Sequence, residues 1–176
     1  MKKLILQFSL ILIPFLLNAQ QTPADKLFDK YSGKEGFTYV YISKYMFDLF
    51  SNIESNDKDY QGFKNVVGKL DNIKILVADD EYRHPDINFF REIMKELPTS
   101  EYKELMVVKE KDQDFKFLIK EEKGKIYELL MIGGGKDNLL ISIQGDIDLK
   151  TISKLSKSLE IKGLEELEKI DKKEKK

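Results

Sequence analysis

The strongest constraint on this chain lies between Tyr102 and Asp146, where hydrophobic residues recur with a period of two over four successive segments, 103–109, 114–120, 125–132 and 138–144. Their links are short and polar, too short for the dozen or more residues that a parallel crossover needs. Asp112-Gln113, Glu121 to Gly124 and Gly133 to Asn138 therefore read as hairpin-like connections, and the four segments as an antiparallel meander. In the third segment Ile126, Glu128, Leu130 and Ile132 alternate with Tyr127, Leu129 and Met131, which predicts the most central of these strands.

Two strand-then-helix units are expected ahead of the meander. Phe37 to Ile42 alternates Phe37, Tyr39 and Tyr41 with Thr38, Val40 and Ile42, all β-formers, which predicts an interior strand. Ser43 then caps a helix from Lys44 to Ile53, whose Met46, Leu49, Phe50 and Ile53 have the spacing of a buried stripe. A second helix is expected over Tyr60 to Leu70, a strand over Asn72 to Ala78, and a helix that opens at Pro85 and stops at Pro98. The stripe of 44–53 is expected to pack on the sheet beside Phe90 and Met94. A short helix over Ala24 to Tyr31, with Leu27, Phe28 and Tyr31 on one face, precedes all of this, and one through Ile152, Leu155 and Leu159 follows it. The order predicts an α+β domain over 20–161, a largely antiparallel sheet with helices packed on one face, and a charged tail over 162–176.

Residues 1–19 read as an export signal: Lys2 and Lys3 form the basic start, Leu4 to Leu17 the apolar stretch, and Asn18-Ala19-Gln20 the exit. Cleavage near Ala19 would send the mature chain to the periplasm or the outside. An uncleaved anchor is the alternative, since Leu17 is large for its position. No cysteine follows the apolar stretch, so lipidation is closed.

Composition narrows the chemistry. The chain has no Cys, which removes disulfides, thiol nucleophiles and thiolate metal sites, and its one histidine, His84, removes multi-histidine metal sites. No metal or organic cofactor is expected. With 30 Lys+Arg against 31 Asp+Glu, and only Arg83 and Arg91 as arginines, the chain lacks the clustered Arg of a nucleic-acid reader. The densest set of functional groups is Asp79-Asp80-Glu81-Tyr82-Arg83-His84-Pro85-Asp86, where a strand hands over to a helix. His84 has the right type for acid-base work, with Asp79, Asp80 and Asp86 as nearby carboxylates; the competing reading is a solvated loop whose acids favour the following helix N-terminus. Gly133-Gly134-Gly135-Lys136 lacks the spacing and the following helix of a phosphate loop and reads as a turn.

The runs Phe28-Asp29-Lys30-Tyr31-Ser32-Gly33-Lys34-Glu35-Gly36-Phe37, Val40-Tyr41-Ile42-Ser43-Lys44-Tyr45-Met46-Phe47 and Ile73-Lys74-Ile75-Leu76 resemble the bacterial envelope family known as domain of unknown function 4252. That resemblance implies export, often with a lipidated cysteine that is missing here, and a stress or signalling role. It brings no catalytic residues. The leading expectation is a non-enzymatic protein-interaction or sensory module with an envelope protein partner, met at the edge of the first or last meander strand, with peripheral membrane association open. The alternatives are a hydrolase-like enzyme using His84 and the nearby acids, or a carrier of a small apolar ligand. The oligomeric state is not legible.

Overall fold

Thr22 closes the first turn of the first described helix with its own side chain. In the computed structural model, which describes residues 22–54, 56, 58–79, 86–98 and 100–148, Thr22 is the N-cap of α1 (Pro23–Tyr31). Its hydroxyl accepts from the Asp25 N–H at 3.1 Å, and the Asp25 carboxylate accepts from the Thr22 N–H at 3.4 Å. Ala24, Leu27, Phe28 and Tyr31 form the buried face expected of this helix.

The remaining elements are β1 (Phe37–Ser43), α2 (Lys44–Ser51), α3 (Lys58–Val67), β2 (Leu70–Ala78), α4 (Phe89–Glu96), β3 (Lys103–Lys109), β4 (Gln113–Glu122), β5 (Lys125–Gly135) and β6 (Leu139–Ile147). The six strands form one sheet in the order β1-β2-β6-β5-β4-β3, every neighbouring pair antiparallel. The fold is α+β, and β3 to β6 form the expected meander. β5 and β6 are the central pair. The expected helix over 152–159, the export segment over 1–19 and the tail over 162–176 lie outside the described residues.

Helices cover both faces of the sheet, not one. α1 and α4 bury Leu76, Leu118, Leu130, Ile132 and Leu140, whereas α2 and α3 share a second core with Ile73, Phe117, Leu129, Met131, Ile141 and Ile143. The reason was visible in β5: a strand apolar on both of its alternating sets must be covered on both sides. A second correction concerns β1, which is an edge strand. Its Phe37 and Tyr39 row packs under α1 while Ile42 joins the opposite core, so both rows are β-formers without a neighbour on each side. A third concerns β6, which lies between β2 and β5; among the described strands the edges are β1 and β3.

Local chemistry moves other boundaries. α4 opens at Phe89, where Asn88 accepts from the Arg91 N–H at 2.8 Å and replaces the expected Pro85 start. Ser43 occupies the N-cap of α2 but its side chain makes no capping bond. Gly133, Gly134 and Gly135 extend β5 instead of making the turn. The β3 edge is held by cross-strand ion pairs, Lys116 to Glu104 at 2.8 Å and Lys103 to Glu121, with Lys120 reaching Glu101 at 2.8 Å just before the strand.

One half-buried pair couples α1 to the sheet. Lys74 of β2 meets Asp25 at 2.5 Å. Burial would raise the Asp25 pKa, but hydrogen bonds from Lys74 and Thr22 and the Lys74 charge outweigh it and hold the carboxyl below its ordinary value. Burial likewise opposes the Lys74 ammonium, and Asp25 outweighs that and holds it above its ordinary value. A depressed carboxyl stabilises the fold above its unfolded pKa and loses that contribution as pH falls through the folded value; a raised ammonium contributes below its unfolded pKa and loses it as pH rises through the folded value. The pair should therefore support the fold throughout the neutral range and fail at both extremes. Asp25→Asn should cost about 1 kcal/mol at pH 7 and reduce the loss of stability below about pH 4, measured by urea unfolding over a pH series.

Candidate functional site

The acidic segment after β2 is only partly described. Asp79 is exposed; its N–H donates to the Gly36 carbonyl at 2.9 Å and its carboxylate accepts from the Thr38 hydroxyl at 3.3 Å. Asp86 is exposed just before α4. Asp80 and His84 lie outside the described residues. Among the described residues no group of three or more His, Asp or Glu side chains is placed to hold a metal ion.

Gly133 and Gly134 serve close packing. A side chain at Gly133 would meet the Phe115 ring at 2.7 Å, and one at Gly134 would meet the Phe90 backbone nitrogen at 2.8 Å, so the glycines let β5 lie directly beneath β4's ring and the α4 N-terminus. The strand carries no phosphate cradle.

A buried polar cluster that the sequence had not singled out lies across β5 and β6. Glu128, 3% exposed, accepts from the Tyr102 hydroxyl at 2.9 Å and from the Ser142 hydroxyl at 3.4 Å. Burial, with the Glu128 charge, pushes the Tyr102 pKa well up and keeps the phenol a proton donor. Lys120 caps the Tyr102 ring at 4.6 Å. The signal was a lone Glu in an otherwise apolar central strand. Closed off from solvent, this cluster ties the approach to β3 to the two middle strands.

The open surface is on α2. Phe47 alone among its side chains is buried, at 4%, while Met46, Leu49 and Phe50 and the following Ile53 are 39% to 49% exposed. The stripe expected to be core thus faces outward, and Phe90 and Met94 belong to α4 on the other side of the sheet. Tyr45 and Tyr41, 71% and 54% exposed, extend the apolar area. A groove of about 350 Å³ opens beside the stripe, walled by Tyr41, Met46, Phe47, Phe50 and Phe63 and floored by Ile73. Its shape is set by aromatic packing between α2 and α3: Phe50 meets Phe63 edge-on at 6.2 Å, and the Tyr60 hydroxyl donates to the Phe50 carbonyl at 2.5 Å. Periodicity identified an apolar face but not what covers it. The missed signal was that Tyr45, Met46, Phe47, Leu49 and Phe50 make α2 apolar on more than one side, more than a single sheet contact can hide. Such an area is chemically suited to receiving apolar side chains, and the groove lining itself carries no polar side chain beyond Tyr41 and Ser43.

Among the described residues no helix is long and apolar enough to cross a membrane. A search of curated proteins and of solved structures finds no match to the chain. A family model described as a domain of unknown function, DUF4252, matches residues 31–155. The matched span takes in all six strands, the groove and the buried Glu128 cluster, and continues past the end of β6. The chain belongs to the family of domain of unknown function 4252.

Proposed function

We propose that this chain is a non-enzymatic interaction module of the bacterial envelope, exported by its first 19 residues, which grips a protein partner through the apolar face of α2 and its groove. The observation that carries this is the outward stripe Met46, Leu49, Phe50 and Ile53, each more than a third exposed. Leaving that much apolar surface in water costs about 25 cal/mol for every Å² that a partner would cover. A contiguous apolar area with an aromatic-walled groove is the pattern of a docking face with anchor pockets.

A small apolar ligand is the second reading, favoured by the groove itself, whose about 350 Å³ falls within the range of ligand pockets. It leaves Tyr45, Leu49 and Ile53 unused, because they lie outside the groove lining. A protein surface would cover both. The enzyme reading, with His84 and Asp79, Asp80 or Asp86, gains no support from the exposed positions of Asp79 and Asp86.

The test places a photoreactive residue at Leu49 in the full chain expressed in its native envelope. One discrete protein adduct is expected, lost when Met46→Glu is added and absent when the probe is moved to the exposed Tyr127 of β5. No adduct from Leu49, a lipid adduct only, or the same adduct from Tyr127 would contradict the proposal.

A further inference from the structure

The two edges of the sheet are built differently. β3 carries Lys103, Glu104 and Lys109, is crossed by the ion pair from Lys116 to Glu104, and breaks its register with β4 between Glu104 and Met106. Charges and bulges of this kind keep an edge from pairing with another chain. β1 has neither: Phe37–Ser43 contains no charged residue, Pro or Gly, and its register with β2 runs unbroken from Phe37 opposite Ala78 to Ser43 opposite Asn72. Thr38, Val40 and Tyr41 are exposed along it. Its hydrogen bonding shows which groups it offers. The register sets Gly36 opposite Asp79, and the Asp79 N–H donates to the Gly36 carbonyl at 2.9 Å. Facing residues of an antiparallel pair alternate between bonded and non-bonded positions, so Thr38, Val40 and Ile42 bond to β2, and the N–H and C=O of Tyr39 and Tyr41 point away from it. The other side of β2 agrees, since the Ala78 N–H donates to the Asn138 carbonyl at 3.0 Å, toward β6. Among the described strands none meets the outward groups of Tyr39 and Tyr41.

We propose that the partner enters as an extended segment that adds a strand to the sheet at β1, its backbone bonded to Tyr39 and Tyr41 and alternate apolar side chains seated in the groove beside α2. The groove begins at this edge: Tyr41, Ile42 and Ser43 at the end of β1 line it together with Met46, Phe47 and Phe50 of α2. Ile42 packs in the core that α2 and α3 share, so the groove and one side-chain row of an added strand lie on the same face of the sheet. The lining holds no charged side chain, and a charge seated there would lose water without gaining a partner, which selects an apolar row. In strand addition of this kind the main-chain bonds supply affinity and the pocket for alternate side chains supplies specificity. The inference rests on the reading of α2 as the docking face and gives the partner its form.

The test uses the full chain in its native envelope, with a photoreactive residue at Thr38 in one sample and at Leu49 in another. Both should give the same discrete protein adduct, and fragmentation should place the two crosslinks on one continuous partner segment. A probe at the exposed Glu104 of β3 should give none. Tyr41→Pro, which lacks both the ring and the outward N–H but keeps the bonds to β2, should reduce the adducts about tenfold further than Tyr41→Ala, which lacks only the ring. Should Tyr41→Pro fail to fold by circular dichroism, the Thr38 and Glu104 probes decide the matter without it. A Leu49 adduct with none from Thr38, the same adduct from Glu104, or equal reduction by folded Tyr41→Pro and Tyr41→Ala would overturn the inference and leave the α2 reading standing. No adduct from Leu49 would end that reading itself, and this inference with it. A Thr38 adduct at twice the mass of the chain would overturn the inference by making a second copy the occupant.

Discussion

Phe89→Ala should cost about 3–5 kcal/mol of stability, whereas Phe50→Ala, the same chemical change, should cost less than about 1 kcal/mol. Phe89 is fully buried where three elements meet: its ring centroid lies 5.3 Å from that of Tyr31 on α1 and 6.2 Å from that of Phe37 on β1. Its N–H also donates to the buried Asn138 side chain at 2.9 Å, which fixes the start of α4 over the sheet. Removing the ring leaves a cavity that two helices and a strand cannot all close. Phe50 is 39% exposed and gives up mainly its edge contact with Phe63. Urea unfolding of both variants, compared by midpoint at constant slope, reads the difference. Equal costs would mean that the α2 stripe is core after all.

Gly134→Ala is expected to cost about 1–3 kcal/mol. The added carbon would sit 2.6 Å from the Phe90 Cβ and 2.8 Å from its backbone nitrogen, both fixed by the first turn of α4, so no flexible side-chain end can yield. It would also press on the Asn88 side chain that caps the helix. Relief therefore requires α4 to lift from β5, loosening Phe89 with it. Gly62→Ala on α3, where nothing lies within 4 Å of the added carbon, is the control and should be neutral or slightly stabilising. Thermal melts of the two variants separate these effects.

The meander was legible because four alternating segments with short links leave few other arrangements. β5 was recognised as central from the same alternation, and its two apolar sets implied a cover on each side, although a single-sided arrangement was expected. Alternation could not place β1 at the edge, because an edge strand packed on both faces reads like an interior one. The α2 stripe shows the limit most clearly: the spacing of Met46, Leu49, Phe50 and Ile53 defines a face, while covering it depends on elements distant in sequence. Gly134 and Glu128 were opaque for the same reason. The need for a bare backbone comes from Phe90, and the carboxylate's partners are Tyr102 and Ser142. Of the polar candidates in 79–86, the structure ties Asp79 to Thr38 and places Asp86 at the surface.

The central claim is that this protein works by presenting the α2 face to a partner, and complementation of a chromosomal deletion tests it most directly. Two full-length variants are compared at equal folded amounts: Leu49→Glu with Ile53→Glu, which alters only exposed positions, and Asp80→Ala with His84→Ala, which removes the histidine and one of the carboxylates of the enzyme reading. The first should fail to restore the deletion phenotype and the second should restore it fully. Restoration by the α2 variant, with failure of a well-folded Asp80→Ala, His84→Ala protein, would contradict the account and favour an enzyme.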